Sequence, residues 1–426
     1  MALLTLVISS PGSNCIKWER KQKKGGARCK HRPPPKMTHQ QDLTKSLLYL
    51  GYMLLFADRT VLNLSLAAIG KDFSVSPAAL GATSSVFFLG YTIMQIPGGW
   101  LTDRFSSRKV IIATLAFWSV MTIFTGLAWS LAALLVIRFL FGIAEGPYPP
   151  AAMKQVAQDF PVNKRAQLTA ALISSNYAGA ALAPFIIVPI IAATGWRSAF
   201  FWLGVFGLLL MVSYLFFRGH GGGQTVTKQE RQKINWKEID PRVWAFVVIG
   251  LALNIITKGM ETWMPVYFLN ARHINLANLA WLVPLPTIAG GIAALISGYV
   301  MVHIFKNHER LMIILASFLT VLTMFGLYKS TSLVWLVIFQ MATYFVKSLA
   351  FTGIFSYAAQ LFPQKTYGSQ IGTINFGGQL GGFFGPLLIG WIVQLSGSYD
   401  TAFFGLVISA LVAGVASLFV GNLKAK

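Results

Sequence analysis

The feature that most constrains this chain is a series of long apolar runs separated by short polar punctuation. Twelve can be read: 46–70, 79–101, 109–129, 131–157, 166–194, 198–217, 242–269, 277–303, 310–328, 332–361, 367–396 and 400–421. A bilayer core needs about twenty helical residues to cross it. Only helices satisfy their own backbone across so many lipid-facing segments, so the predicted class is an all-α membrane protein. Composition agrees: 55% of the 426 residues are hydrophobic, only 11% are charged, and mean hydropathy is +0.61. A soluble domain carries roughly a quarter charged residues.

The net charge of +22 would suggest nucleic acid on a soluble protein. Here the basic residues sit in short loops and in one tail. Arg104, Arg108 and Lys109 follow the second run, and Lys154, Lys164 and Arg165 follow the fourth. The loops on the opposite side carry only Lys71, Arg197, Arg272 and Lys329. That asymmetry predicts a multi-pass protein with both termini in the cytoplasm, and no nucleic-acid partner. The two cysteines, Cys15 and Cys29, lie outside the apolar runs. The membrane body therefore holds no disulfide framework or cysteine-ligated metal, and no metal or cofactor is expected.

The predicted organisation is a basic tail at 1–45, six helices in 46–217, a basic cytoplasmic linker at 218–241, six helices in 242–421, and a short tail at 422–426. The first 36 residues place an apolar run, Leu3–Ile8, before the charges, the reverse of a signal peptide. Their composition cannot bury a core; a polybasic anchor for anionic lipid is the alternative. The two halves look related. Gly179-Ala180-Ala181-Leu182-Ala183-Pro184, followed by Ala199-Phe200-Phe201, parallels Gly381-Gly382-Phe383-Phe384-Gly385-Pro386, followed by Ala402-Phe403-Phe404. Two six-helix repeats with a site between them at mid-membrane are a transporter architecture.

Four charges interrupt the apolar runs of the first half: Asp58 and Arg59 in run one, Arg138 and Glu145 in run four. Each costs about 2.5–3.5 kcal/mol near mid-bilayer, so the four need partners or a polar cavity. Arg138 and Glu145 stand two turns apart on one helix face. Asp58 and Arg59, being adjacent, point about 100° apart and must each look elsewhere. An arginine without a fixed acidic partner suits a carboxylate, because its fork matches the planar anion. A carboxylate moved between water and a low-dielectric pocket can load and release protons. A purely structural salt-bridge network is the competing reading.

The stretch Gly99-Trp100-Leu101-Thr102-Asp103-Arg104-Phe105-Ser106-Ser107-Arg108-Lys109 resembles the loop 2–3 signature of the major facilitator superfamily, with Ser106 where a second glycine is expected. Asp58-Arg59, Tyr91 and Arg138-Phe139-Leu140-Phe141-Gly142-Ile143-Ala144-Glu145-Gly146 together resemble the anion:cation symporter family within it. That family includes hexuronate, galactonate and glucarate transporters and sialic-acid carriers. The resemblance implies proton-coupled symport of an organic anion by a monomer in the plasma membrane. It gives Arg59 and Tyr91 to substrate, Asp58 and Glu145 to proton coupling, Arg138 to pairing with an acid, and Asp103, Arg104 and Arg108 to gating. Sodium stays open as the coupling ion. An exporter, of drugs or of a carboxylate-bearing siderophore, is the alternative, though an anion clamp has little use in a pump for cationic drugs.

Several positions depart from the sugar-acid pattern. Asn176 stands where a glutamine is usual and reaches less far. Ser356-Tyr357 replaces a more polar run. Asn375 and Gln379 share a helix face, as substrate contacts or as interhelical hydrogen bonds. Lys258 and Glu261 have the spacing of a local pair, either an added gate or coupling acid or solvated residues near the outer mouth. Lys347 is a further buried cation without an assignment. No Walker phosphate loop, His-Glu-x-x-His helix or nucleophile elbow occurs, so no enzyme is expected and an ion gradient must supply the energy.

Overall fold

A computed structural model of the protein describes residues 39–216, 240–362 and 367–421. Residues 1–38, most of the expected linker (217–239) and the 422–426 tail lie outside the described residues. The first half contains α1 (His39–Phe73), α2 (Pro77–Arg104), α3 (Ser107–Gly126), α4 (Leu131–Glu145), α5 (Tyr148–Asp159), α6 (Val162–Thr194) and α7 (Trp196–Phe216). The second contains α8 (Val243–Asn270), α9 (Leu276–Leu282), α10 (Pro284–Tyr299), α11 (Glu309–Lys329), α12 (Leu333–Leu361), α13 (Tyr367–Ser396) and α14 (Tyr399–Ser417). They form twelve spans among the described residues: α4 and α5 together make the fourth, and α9, α10 and a π-turn at Val300–Ile304 make the eighth. The helix α1 begins at His39, so part of the expected tail is helical.

Local chemistry sets the breaks. Ser76 and Ser130 each turn a hydroxyl back onto the amide of the third residue of the following helix, at 3.4 and 3.2 Å from Ala79 N and Ala133 N. Pro77 at the start of α2 donates no amide where none is needed. The fourth span breaks at Gly146-Pro147, directly after Glu145, because proline cannot continue the backbone ladder.

The related sequences occupy related places. Gly179 of α6 lies against the backbone of Met53 in α1, and Gly381 of α13 lies against that of Leu251 in α8. Span five thus packs on span one as span eleven packs on span seven, and neither glycine leaves room for a Cβ. The "terminal face" is the one where α1 begins and α14 ends; the "distal face" is opposite. The halves meet closely toward the distal face. Gly81 of α2 abuts the Pro386 carbonyl, Gly390 abuts that of Pro77, and Ala78 N donates to Gln394 Oε1 at 3.3 Å. Phe185 of α6 meets Trp281 of α9 edge-on at 4.9 Å. Toward the terminal face the α2–α13 contact reaches Gln95 and Asn375, 3.5 Å apart. Past that pair, Gly99 and Gly372 have open space where a Cβ would stand.

Candidate functional site

The neighbours Asp58 and Arg59 leave α1 in different directions, as their spacing requires. Asp58 turns to α3 and is fully buried at 1% exposure. Trp118 Nε1 donates to one carboxylate oxygen and the Thr122 hydroxyl to the other at 3.1 Å. Arg59 turns to α2 and α4. Its Nε donates to Glu145 Oε1 at 3.0 Å, and Nη2 donates to the same oxygen. The guanidinium also lies 4.9 Å from the ring centres of Phe56 and Tyr91 and 5.0 Å from that of Phe87. Such faces attract a cation and exclude water.

This arrangement differs from the expected one, in which Arg59 had no fixed acid and Arg138 held the pair. Helical side chains lean toward their own amino terminus. The helices α1 and α4 run in opposite directions, so Arg59 and Glu145 lean toward each other while Arg138 leans away from Glu145. Arg138 rests on Phe141 and Phe87, 4.4 and 5.3 Å from their centres. None of its three guanidinium nitrogens has a hydrogen-bond partner among the described residues, and neither has Glu145 Oε2. Buried polar groups are normally satisfied. The buried charges of the first half therefore comprise one ion pair, one hydrogen-bonded carboxylate and one cation without a hydrogen-bond partner among the described residues.

Lys258 and Glu261 form the local pair their spacing allows, Nζ to Oε2 at 2.6 Å. Their place corrects the outer-mouth reading: with Arg59, Arg138 and Asn63 they line one cavity between the halves. Lys258 sits 5.9 and 5.7 Å from the Phe56 and Phe88 rings. Lys347 of α12 joins this side and donates to the Thr257 hydroxyl at 2.7 Å. The cavity's free volume is only about 20 Å³, room for about one water. A substrate enters only if the halves part or the internal pairs yield.

The remaining candidates divide by place. Tyr91 is buried, with its ring 4.9 Å from the Arg59 guanidinium. Asn176 Oδ1 is buried without a hydrogen-bond partner among the described residues. Asn375 meets Gln95, and Gln379 is half-buried one turn away. Ser356 is exposed, more than two turns from Lys347 toward the terminal face. Asp103 and Arg104 are exposed at the end of α2, while Arg108 donates to the carbonyls of Tyr214 and Leu215 at 2.8 and 3.1 Å. Sequence reasoning missed Trp118, Thr122 and Asn63. A buried indole N–H needs an acceptor, so a tryptophan within an apolar run was the available signal for the partner of Asp58.

Comparison with known proteins agrees with the fold. A family model described as Major Facilitator Superfamily matches residues 48–334 and 309–425. A probable sulfoacetate transporter of Cupriavidus necator is 28% identical over 88% of this chain and 93% of its own. A probable galactarate/D-glucarate transporter of Escherichia coli is 26% identical over 89% and 93%, and a hexuronate transporter of Bacillus subtilis 26% over 84% and 89%. A bacterial homolog of the human lysosomal transporter Spinster, solved inward-facing and occupied, superposes with a TM-score of 0.79 at 15% identity. It covers 90% of this chain and 97% of its own, and shares the fold.

Proposed function

The chain belongs to the Major Facilitator Superfamily, and from that premise we propose that it is a secondary transporter that carries a small organic anion together with protons by alternating access. The proposal places it as a monomer in the plasma membrane, both termini cytoplasmic, with the terminal face as the cytoplasmic face. The observation that carries the reading is the Arg59–Glu145 pair beside the unpartnered Arg138 in a cavity between the halves.

A substrate carboxylate competes with Glu145 for the fork of Arg59, which matches two carboxylate oxygens at once. Once displaced, Glu145 is a buried charge without its partner. Such a charge is costly, and a proton removes it. Anion binding and proton binding thereby favour each other. Asp58, held by neutral donors on α3, is a second place for a proton in the same network. The relatives named for sulfoacetate, galactarate/D-glucarate and hexuronate carry acids, which supports an organic anion as cargo. The solvated Asp103-Arg104 turn and the Arg108 link to α7 fit a hinge on the terminal face.

Purified protein in liposomes tests the proposal. Uptake of radiolabelled sulfoacetate, glucarate or glucuronate should rise when the outside is acidified and stay unchanged on replacing sodium with potassium. Uptake driven by sodium alone, or indifferent to the proton gradient, would overturn the coupling.

A further inference from the structure

Four charged groups line the cavity, Arg59, Arg138, Lys258 and Glu261, and three stand behind it, Glu145 bonded to Arg59, Lys347 bonded to Thr257 and Asp58 turned to α3; the seven do not balance. Four are cations, Arg59, Arg138, Lys258 and Lys347, and three are carboxylates, Asp58, Glu145 and Glu261. Their pairing repeats across the midline. On each side of the cavity stands one ion pair, Arg59–Glu145 from the first half and Lys258–Glu261 from the second. Near each pair stands one further buried cation with no carboxylate within salt-bridge distance among the described residues, Arg138 and Lys347. Lys347 has a hydroxyl and the Tyr344 ring, 5.0 Å away, in place of an anion. An ammonium so deep in a lipid-embedded bundle is costly, and intramembrane charges mark ligand paths.

The two cationic sides are close. Arg59 lies 4.9 and 5.9 Å from the centres of Phe56 and Phe88, and Lys258 lies 5.9 and 5.7 Å from the same two rings. The groups therefore share one aromatic shelf, no farther apart than two such distances added. A molecule of a few carbons spans that gap. A monoanion held by Arg59 would leave the opposite lysines facing its apolar or hydroxylated end, where their charge does nothing for binding.

We propose that Lys258 and Lys347 form a second anion subsite opposite Arg59, so that the transported substrate is a short dianion held at both ends. The inference rests on the organic-anion reading above and names its substrate class. Glu261 covers Lys258 as Glu145 covers Arg59, and the second anionic group displaces Glu261. The fit is to two carboxylates, or to a carboxylate and a sulfonate, separated by one to four carbons.

Matched pairs of substrates test this in the same liposomes: succinate against butyrate, sulfoacetate against propionate, glucarate against gluconate. Wild type should take up each dianion at least about tenfold faster than its monoanionic partner, since a hydrogen bond to a charged group is worth that much or more. In Lys347→Met and Lys258→Gln the dianion-to-monoanion ratio should fall by about tenfold, and Lys347→Arg should restore most of it. Equal wild-type uptake of both members of each pair overturns the dianion site and leaves organic-anion transport standing. Uptake of none of the six overturns both. Should the variants fail to insert, the wild-type ratios alone decide.

Discussion

The two halves treat charge differently. In the first, Asp58, Arg138 and Glu145 are almost completely buried, and Arg59 is 14% exposed. Three of these charges are clasped by aromatic rings or by paired donors from α3. In the second, Glu261 is 32% exposed, and the pair it makes comes from neighbouring turns of a single helix. A network assembled from several helices is destroyed by a change in any member, whereas a pair within one helix is replaced at little cost to the fold. The first half therefore suits a common apparatus of anion and proton binding, and the second suits adjustment to a particular cargo.

Arg59→Lys puts the largest weight on this contrast. Lysine keeps the charge but loses the fork, and breaking a buried pair costs about 3–5 kcal/mol. Uptake should fall by roughly a hundredfold or more; a variant transporting like wild type would remove the first half's special standing. Next, Glu145→Gln should abolish acceleration by an acidic outside while counterflow of labelled substrate survives within a few fold. Equal loss of both would assign Glu145 to folding or binding.

Trp118→Phe should lower uptake by about tenfold, because an unsatisfied buried acceptor costs about 1–3 kcal/mol. Its effect should largely vanish when combined with Asp58→Asn, which a double-mutant cycle would show. Glu261→Gln should leave the response to acid intact and change only apparent substrate affinity, by a few fold; loss of the response would erase the distinction between the halves. Smallest of all, Arg108→Ala removes two bonds to the end of α7. It should cost about 1 kcal/mol or less, read as a drop of about one degree in the melting temperature of a chain this long, with substrate preference unchanged.

The helical frame was legible because lipid enforces it. The runs at 131–157 and 310–328 became spans Leu131–Asp159 and Glu309–Lys329, since a bilayer sets length from both sides. The break after Glu145 was legible too, from the prolines that follow it. The pairing of the charges was not. That Glu145 goes to Arg59 depends on α1 and α4 running antiparallel, close enough for their side chains to meet, and seven-residue spacing along α4 carries no information about what α1 presents. Trp118 lies 60 residues from Asp58; its indole signalled that an acceptor was needed, but nothing in the run says which helix supplies it. Lys258 looked like a helix-end charge because α8 was read without α1 and α2 beside it. The second half of that cavity exists only once the repeats are brought together.

The distal seal has an energetic consequence. Gly81 on Pro386 and Gly390 on Pro77 are backbone surfaces in contact, and beside them the Ala78 amide donates a hydrogen bond to Gln394 Oε1. Each dispersion contact of this kind yields only about 0.1–0.2 kcal/mol. Such a latch holds position but stores little bias, so the population of open and closed forms is set by whatever occupies the cavity. A ligand shifts an equilibrium only by its differential affinity for the two states. With a weak latch that differential need be only a few kcal/mol, and the cargo itself becomes the throw of the switch.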